Sequence, residues 1–157
     1  MNSIYYCSEN FDNSNISPHY IKVEEKLSQF IRSRGYQIFK ITKPEIYKHP
    51  ISFRFLQNFS QKSIHLVIRR PENIRILKNA FNILILPITV SPSEMIDKQE
   101  YPFQKYQRMF SLVDEILTTR KENISVLIEK VKTAVQFFKD DQSLFEYIIL
   151  QANNSKA

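Results

Sequence analysis

The side chains best suited to hold an anionic ligand follow short apolar runs. Arg69 and Arg70 end the run Ile64–Ile68, and Thr118 and Thr119 end a later run of the same kind. Guanidinium groups form paired hydrogen bonds with phosphate and carboxylate oxygens, so two adjacent arginines favour an anionic partner. The alternative for this pair is a solvated strand end. Thr119 has its own alternative, since a threonine before a helix also caps it.

A polar loop after the first apolar run carries further ionisable residues. Ser8–Ser17 is rich in Ser, Asn and Asp, and it contains the candidate ligand-binding residues Glu9 and Asp12. His19 follows closely and is the candidate catalytic residue, because imidazole titrates near neutral pH and serves as a general base. The alternative for His19 is a solvent-exposed position in the first turn of a helix.

The pattern of apolar residues predicts the strands and helices that position these candidate residues. Short apolar runs alternate with helical spacings, which predicts an α/β fold with an open, mostly parallel sheet of about five or six strands and helices on both faces. Parallel strands place their carboxyl ends at one edge, so the arginines, the Ser8–Ser17 loop and the threonine pair are expected to line one cleft. The predicted strands lie near 3–7, 36–42, 64–69, 82–88 and 115–118, with Thr133–Phe138 as a sixth candidate.

The connections between the strands are predicted in the same way. Ser17-Pro18 is a favourable helix start, and Gly35 is expected to end that helix in the left-handed conformation. Apolar residues at 74 and 77 predict a helical piece between the third and fourth strands. Other predicted connections are a polar loop over Ser91–Pro102, helices over Tyr106–Val113 and Lys121–Val131, and a last helix to Gln151 capped by Asp140 or Asp141.

Composition restricts the classes of function. The chain of 157 residues is one domain's worth, with one glycine and one cysteine, Cys7. Glycine-rich phosphate loops and a disulfide framework are therefore excluded, and no cofactor is predicted. His49 and His65 have no partner at the spacing of metal ligands, so no metal site is predicted.

Charge and hydropathy restrict location and partners. No apolar stretch approaches the ~20 residues that span a bilayer, and the first residues do not form a signal peptide. We therefore expect a cytoplasmic protein, peripheral at a membrane face if it is membrane-associated. The net charge of +6 is compatible with anionic partners. A nucleic acid is a weak candidate partner, because the basic residues are not interleaved with aromatic residues in a recognition motif.

Several of these residues together resemble a known family. The stretch from about 60 to 130 is similar to the amino-terminal half of bacterial glycosyltransferases built from two Rossmann-like domains (GT-B type). The matching positions are Ile64-His65, Arg69, Pro71-Glu72, Ile74-Arg75, Leu77-Lys78, Ala80, Asn82-Ile83, Lys105–Met109 and Leu112–Ile116. The chain departs from the pattern at Arg70, where the family often has proline, at Asn79, where it often has glycine, and at 87–89.

The resemblance implies that residues 1–157 form a single Rossmann-like domain corresponding to the acceptor-binding half of such an enzyme. The donor nucleotide-sugar would then be bound by a carboxyl-terminal donor domain or a partner chain, and the chain alone is expected to be inactive. The implied acceptor is a sugar or a lipid-linked sugar. The alternative function is a non-catalytic Rossmann-like module that binds an anionic ligand, a partner protein or nucleic acid.

Overall fold

Six parallel strands form the sheet at the centre of the molecule. The computed structural model describes residues 3–8, 18–41, 63–69, 74–77, 80–91 and 100–154. Its main strands are β1 (Ser3–Ser8), β2 (Gln37–Lys40), β3 (Ile64–Ile68), β4 (Phe81–Leu86), β7 (Glu115–Thr118) and β8 (Ala134–Phe137), with β5 (Thr89–Ser91) and β6 (Glu100–Pro102) pairing separately. The helices are α1 (Pro18–Ser33), α2 (Phe103–Phe110), α3 (Glu122–Leu127) and α4 (Asp141–Asn154).

Strand order in the main sheet is β2-β1-β3-β4-β7-β8, and every pair is parallel. The chain moves from β1 to β2 on one side and then to β3 on the other side. The predicted open parallel sheet of five or six strands is thus confirmed, with strand bounds shifted by at most two residues. The reversal of direction lies between β1 and β3, which is where such sheets bind ligands.

Both faces of the sheet are covered. Every residue of β3 is buried, as expected for a strand whose two faces both contact helices. One face carries α1 and α4, which are joined through the Phe30–Phe145 ring pair and the Arg34–Glu146 salt bridge. Helix α3 packs against β8 on the other face, beside Phe137.

Local signals in the sequence account for several helix ends. Gly35 has a φ of 82°, the left-handed conformation predicted for the end of α1. Asp140 caps α4, because its Oδ1 accepts a hydrogen bond of 2.8 Å from the Ser143 N–H. That bond also lowers the pKa of the Asp140 carboxyl.

Two predicted connections are wrong within the described residues, and two predicted helices are present with other bounds: the one predicted at Tyr106–Val113 spans Phe103–Phe110, and the one predicted at Lys121–Val131 spans Glu122–Leu127. Residues 74–77 are not helical, and the predicted polar loop begins and ends in strands, because β5 pairs with β6. Helix α2 begins directly after Pro102, three residues earlier than predicted, and Phe103 and Phe110 stack along its buried side at 5.9 Å. The helical spacing at 74 and 77 was misleading because Ile74 and Leu77 are buried from an irregular segment instead.

Replacing Gly35 by alanine tests the left-handed helix end. No atom lies within 4 Å of the position that a Cβ would take, so the cost comes from backbone conformation alone. We expect Gly35→Ala to lower the free energy of unfolding by about 1–2 kcal/mol. Asparagine tolerates this conformation better than alanine, so Gly35→Asn should lose less. Urea unfolding of the three proteins measures this, and equal stabilities would contradict it.

Candidate functional site

The carboxyl edge of the sheet gathers the predicted ligand-binding residues that the structure describes. Ser8 ends β1, Arg69 follows β3, and Thr118 and Thr119 lie at the end of β7. Strands β3 and β7 are separated only by β4, so these ends lie about 10 Å apart. Three predicted residues, Glu9, Asp12 and Arg70, lie outside the described residues, as does most of the Ser8–Ser17 loop.

Arg69 directly follows β3, one of the two strands at the reversal point. Its side chain is fully buried, and Nη1 donates to the Cys7 Sγ at 3.3 Å. Cys7 lies opposite Val67 in the β1–β3 ladder, so Arg69, two residues further, returns to the face on which Cys7 lies. A buried guanidinium is only weakly screened by solvent.

Thr118 is fully buried, and its hydroxyl is engaged within the protein. Oγ1 donates to the Leu86 carbonyl at 2.8 Å, and it accepts from the Arg120 N–H at 3.0 Å and from Asn123 Nδ2 at 2.9 Å. These bonds join the ends of β4 and β7 to the start of α3. Thr118 therefore shapes the edge of the sheet, and a direct contact from Thr118 or the half-buried Thr119 to a ligand stays a prediction.

Asn123 is a buried residue that sequence reasoning missed. Its Oδ1 accepts from the Val90 N–H at 2.7 Å, and its Nδ2 donates to the Ile88 carbonyl at 2.7 Å as well as to Thr118. It therefore holds β5 against the carboxyl edge. The available signal was its position four residues before the buried Leu127, which places a polar side chain on the inward face of α3.

His19, the candidate general base, is exposed in the first turn of α1. Because α1 connects β1 to the parallel strand β2, its first turn lies on the carboxyl side of the sheet. His19 thus shares a side of the molecule with Arg69 and Ser8, and its position also fits the alternative of a solvated helix residue.

A second polar cluster lies at the opposite, amino edge of the sheet. His65 Nδ1 lies 2.9 Å from Asn82 Oδ1, which also accepts from the Leu77 N–H at 2.8 Å. Asn82 Nδ2 donates to the carbonyls of Leu77 and Ala80, and the Asn82 N–H donates to Asp114 Oδ2 at 2.7 Å. The carbonyl acceptors fix the amide orientation of Asn82, so His65 carries its proton on Nδ1.

This amino-edge cluster stabilises the fold. His65 is completely buried, and burial lowers its pKa to about 4 while the bond to Asn82 opposes the shift. The histidine is therefore neutral at physiological pH. In the described part of the chain, no three His, Cys, Asp or Glu side chains group in a way that could hold a metal ion.

Comparisons of the chain with protein-family models, with curated proteins and with solved structures give no match. Within the described residues, no helix combines the length and apolar character needed to cross a bilayer.

The buried histidine predicts a loss of stability in acid. The folded pKa of His65 is about 4 and the ordinary value is 6.5, so the unfolded chain takes up the proton first as pH falls. Stability is fully present above pH 6.5 and decreases from there to about pH 4, by about 3 kcal/mol in all. The measurement is urea unfolding across this range. His65→Gln should remove much of the slope, whereas the exposed His19→Gln should keep it; an unchanged slope in His65→Gln would disprove the assignment.

Replacing Asn123 should have a large effect on stability, because its one amide group serves several buried partners. Asn123→Ala leaves the buried N–H of Val90 and carbonyl of Ile88 without these partners, at about 1–3 kcal/mol for each group. We expect the free energy of unfolding to fall by about 2–6 kcal/mol. Asn154→Ala, at the exposed end of α4, is the matched control and should change stability by less than about 0.5 kcal/mol. Similar stabilities of the two variants would show that Asn123 is not the anchor of β5.

Proposed function

We propose that this chain is the acceptor-side domain of a glycosyltransferase and binds an anionic sugar, or the phosphate of a lipid-linked sugar, at the carboxyl ends of β1 and β3. The observation that carries the proposal is the reversal of strand order between these two strands, with Ser8 and Arg69 at their ends. Ligands of open α/β sheets bind at such a reversal, outside the carboxyl strand ends.

The charge at this point supports an anionic ligand. Arg69 is a fully buried cation at the strand end, and a guanidinium binds phosphate or carboxylate oxygens through two parallel hydrogen bonds. The Arg69 side chain is enclosed by the protein, so a ligand can interact with it in two ways. It either displaces the protein groups that enclose the guanidinium and binds it directly, or it stays outside and is attracted by the weakly screened charge. Both routes require the positive charge, but only the first requires the planar fork of the guanidinium.

His19 is the candidate general base of the transfer reaction. It would accept the proton of the attacking acceptor hydroxyl while that oxygen bonds to the anomeric carbon of the donor sugar. The bond from this carbon to the diphosphate breaks in the same step, so the sugar is transferred and the nucleoside diphosphate leaves. Its exposed position on the carboxyl side of the sheet supports this role. A donor-binding domain or partner chain supplies the contacts to the diphosphate, which carry a large share of the stabilisation of such a transition state. In this proposal the domain works in the cytoplasm, at the membrane face when its acceptor is lipid-linked.

Binding of glucose 1-phosphate tests the role of Arg69. A charge-assisted hydrogen bond contributes about 1.5–3 kcal/mol, so Arg69→Met should weaken binding by roughly ten- to a hundredfold. Arg69→Lys keeps the charge and loses the fork, so its loss should be smaller. Isothermal titration gives the affinities, and circular dichroism confirms that the variants fold. Arg108→Ala, an exposed change in the last turn of α2, is the control.

The comparison ligands are inorganic phosphate and glucose. The proposal requires that glucose 1-phosphate binds more tightly than either, because both the sugar and the charge contribute. Tight binding of phosphate alone would favour the non-catalytic anion-binding module, and equal affinities of wild type and Arg69→Met would remove the site.

A further inference from the structure

Arg120 is an exposed arginine at the same edge of the sheet as Arg69. It lies two residues beyond Thr118, the last residue of β7. Its Nε donates to the Pro87 carbonyl at 3.2 Å, and its backbone N–H donates to the Thr118 hydroxyl at 3.0 Å. The backbone and the guanidinium of Arg120 are therefore both held against the end of the sheet, although the residue is exposed to solvent.

The bond to Pro87 places the Arg120 guanidinium at the end of β4. Pro87 directly follows β4, so its carbonyl lies one residue beyond the strand. The register of β3 with β4, continued to the strand ends, sets Arg69 level with Leu86. Neighbouring strands lie about 5 Å apart, so the Arg120 guanidinium is held at the strand end next to that of Arg69.

The hydrogen bond through Nε leaves the rest of the Arg120 guanidinium available. Arginine has five N–H donors in a planar fork, and the four on Nη1 and Nη2 form no hydrogen bond within the described residues. Such a fork binds two oxygens of a phosphate side by side. Because Nε is already bonded, the plane of the fork is fixed before a ligand arrives, which reduces the entropy lost on binding.

No carboxylate forms an ion pair with Arg120 in the part of the chain that the structure describes, since the salt bridges there join other residues. Glu122 is the nearest acidic residue in the sequence, and the exposed Lys121 between them offsets its charge. Asp140 lies beyond β8, two strands or about 10 Å from β4, and its carboxylate accepts from the Ser143 N–H. The charge of Arg120 is therefore available to an anion.

Two arginines at adjacent strand ends fit a ligand with two linked anionic groups. Arg69 is a buried cation at the end of β3, and Arg120 is an exposed but tethered cation at the end of β4. Like charges at this spacing repel each other, and an anion that interacts with both offsets the repulsion. A diphosphate has two phosphates joined by a bridging oxygen, so it can interact with both arginines at once.

We propose that Arg120 is a second anion-binding residue of the site at Arg69, and that this site takes a diphosphate group in preference to a single phosphate. Arg120 binds one phosphate through Nη1 and Nη2, and the charge of Arg69 attracts the other. The inference rests on the proposed function for the position of the site and adds the chemical class of its ligand.

Isothermal titration with inorganic diphosphate and inorganic phosphate tests this assignment. The wild-type chain should bind diphosphate at least tenfold more tightly than phosphate, and equal affinities would overturn the inference. Arg120→Gln should weaken diphosphate binding by roughly tenfold and phosphate binding by much less. Circular dichroism checks that the variants fold, which is expected for a change at an exposed side chain.

Lys121→Gln is the matched control, because it removes the same charge from the next exposed residue. It should weaken diphosphate binding by less than about threefold, as expected for an exposed charge that does not contact the ligand. Diphosphate carries more charge than phosphate, so equal losses in Arg120→Gln and Lys121→Gln would show that charge alone causes the preference. That result would overturn the role of Arg120.

Arg120→Lys separates the fork from the charge. Lysine keeps the positive charge but has neither the Nε bond to Pro87 nor a planar pair of donors. We therefore expect Arg120→Lys to lose most of the diphosphate affinity that Arg120→Gln loses. Wild-type affinity in Arg120→Lys would contradict binding through Nη1 and Nη2.

Two organic diphosphates identify the source of the group. Uridine diphosphate carries a nucleoside and geranyl diphosphate carries a lipid chain, and the tighter ligand of the two should depend on Arg120. Tighter geranyl diphosphate would fit a lipid-linked acceptor, whereas tighter uridine diphosphate would contradict the acceptor-side assignment and keep the diphosphate site. If glucose 1-phosphate binding depends on Arg69 but Arg120→Gln changes neither diphosphate affinity, the proposed function stands and this inference is wrong.

Discussion

A buried parallel sheet leaves backbone N–H and carbonyl groups without ladder partners beyond its strand ends, and water cannot reach them. Two asparagine side chains supply hydrogen-bond partners for such backbone groups, one at each end of β4. Asn82 binds backbone groups of Leu77 and Ala80 at the amino edge, and Asn123 binds those of Ile88 and Val90 at the carboxyl edge. A buried polar group without a hydrogen-bond partner lowers the free energy of unfolding by about 1–3 kcal/mol. These two amides therefore stabilise the backbone where the chain joins β4 and where it leaves β4. The geometry of the candidate site depends on the second of them.

Strands β3 and β4 were predictable because each is a short apolar run that contains two isoleucines, and a strand buried on both faces needs no alternation to be recognised. Gly35 and Asp140 were predictable because their roles are local. The segment 74–77 and the β5–β6 pairing were not, because contacts outside each segment determine them: the Asn82 side chain binds Leu77, and β5 pairs with β6 across the residues between them. Asn123 was missed for the same reason, since its three partners belong to strand ends that precede it.

Three of the polar residues that carry the family resemblance lie at two opposite edges of the sheet. His65 and Asn82 bind each other at the amino edge, opposite the candidate ligand site, so folding alone gives a reason for their presence. Arg69 lies at the carboxyl edge, where its side chain is fully buried and donates to the Cys7 Sγ. The case for a ligand therefore depends on Arg69 and the strand reversal, and much less on the length of the matching motif.

Thr118 ties the end of β7 to the strands on both of its sides. Its hydroxyl donates to the Leu86 carbonyl at the end of β4, and its carbonyl accepts from the Phe138 N–H just beyond β8. Because Asn123 Nδ2 also donates to the Thr118 hydroxyl, the buried amide and these strand ends form one connected set of hydrogen bonds. Removal of the Asn123 amide therefore acts on the carboxyl end of β7 as well as on β5.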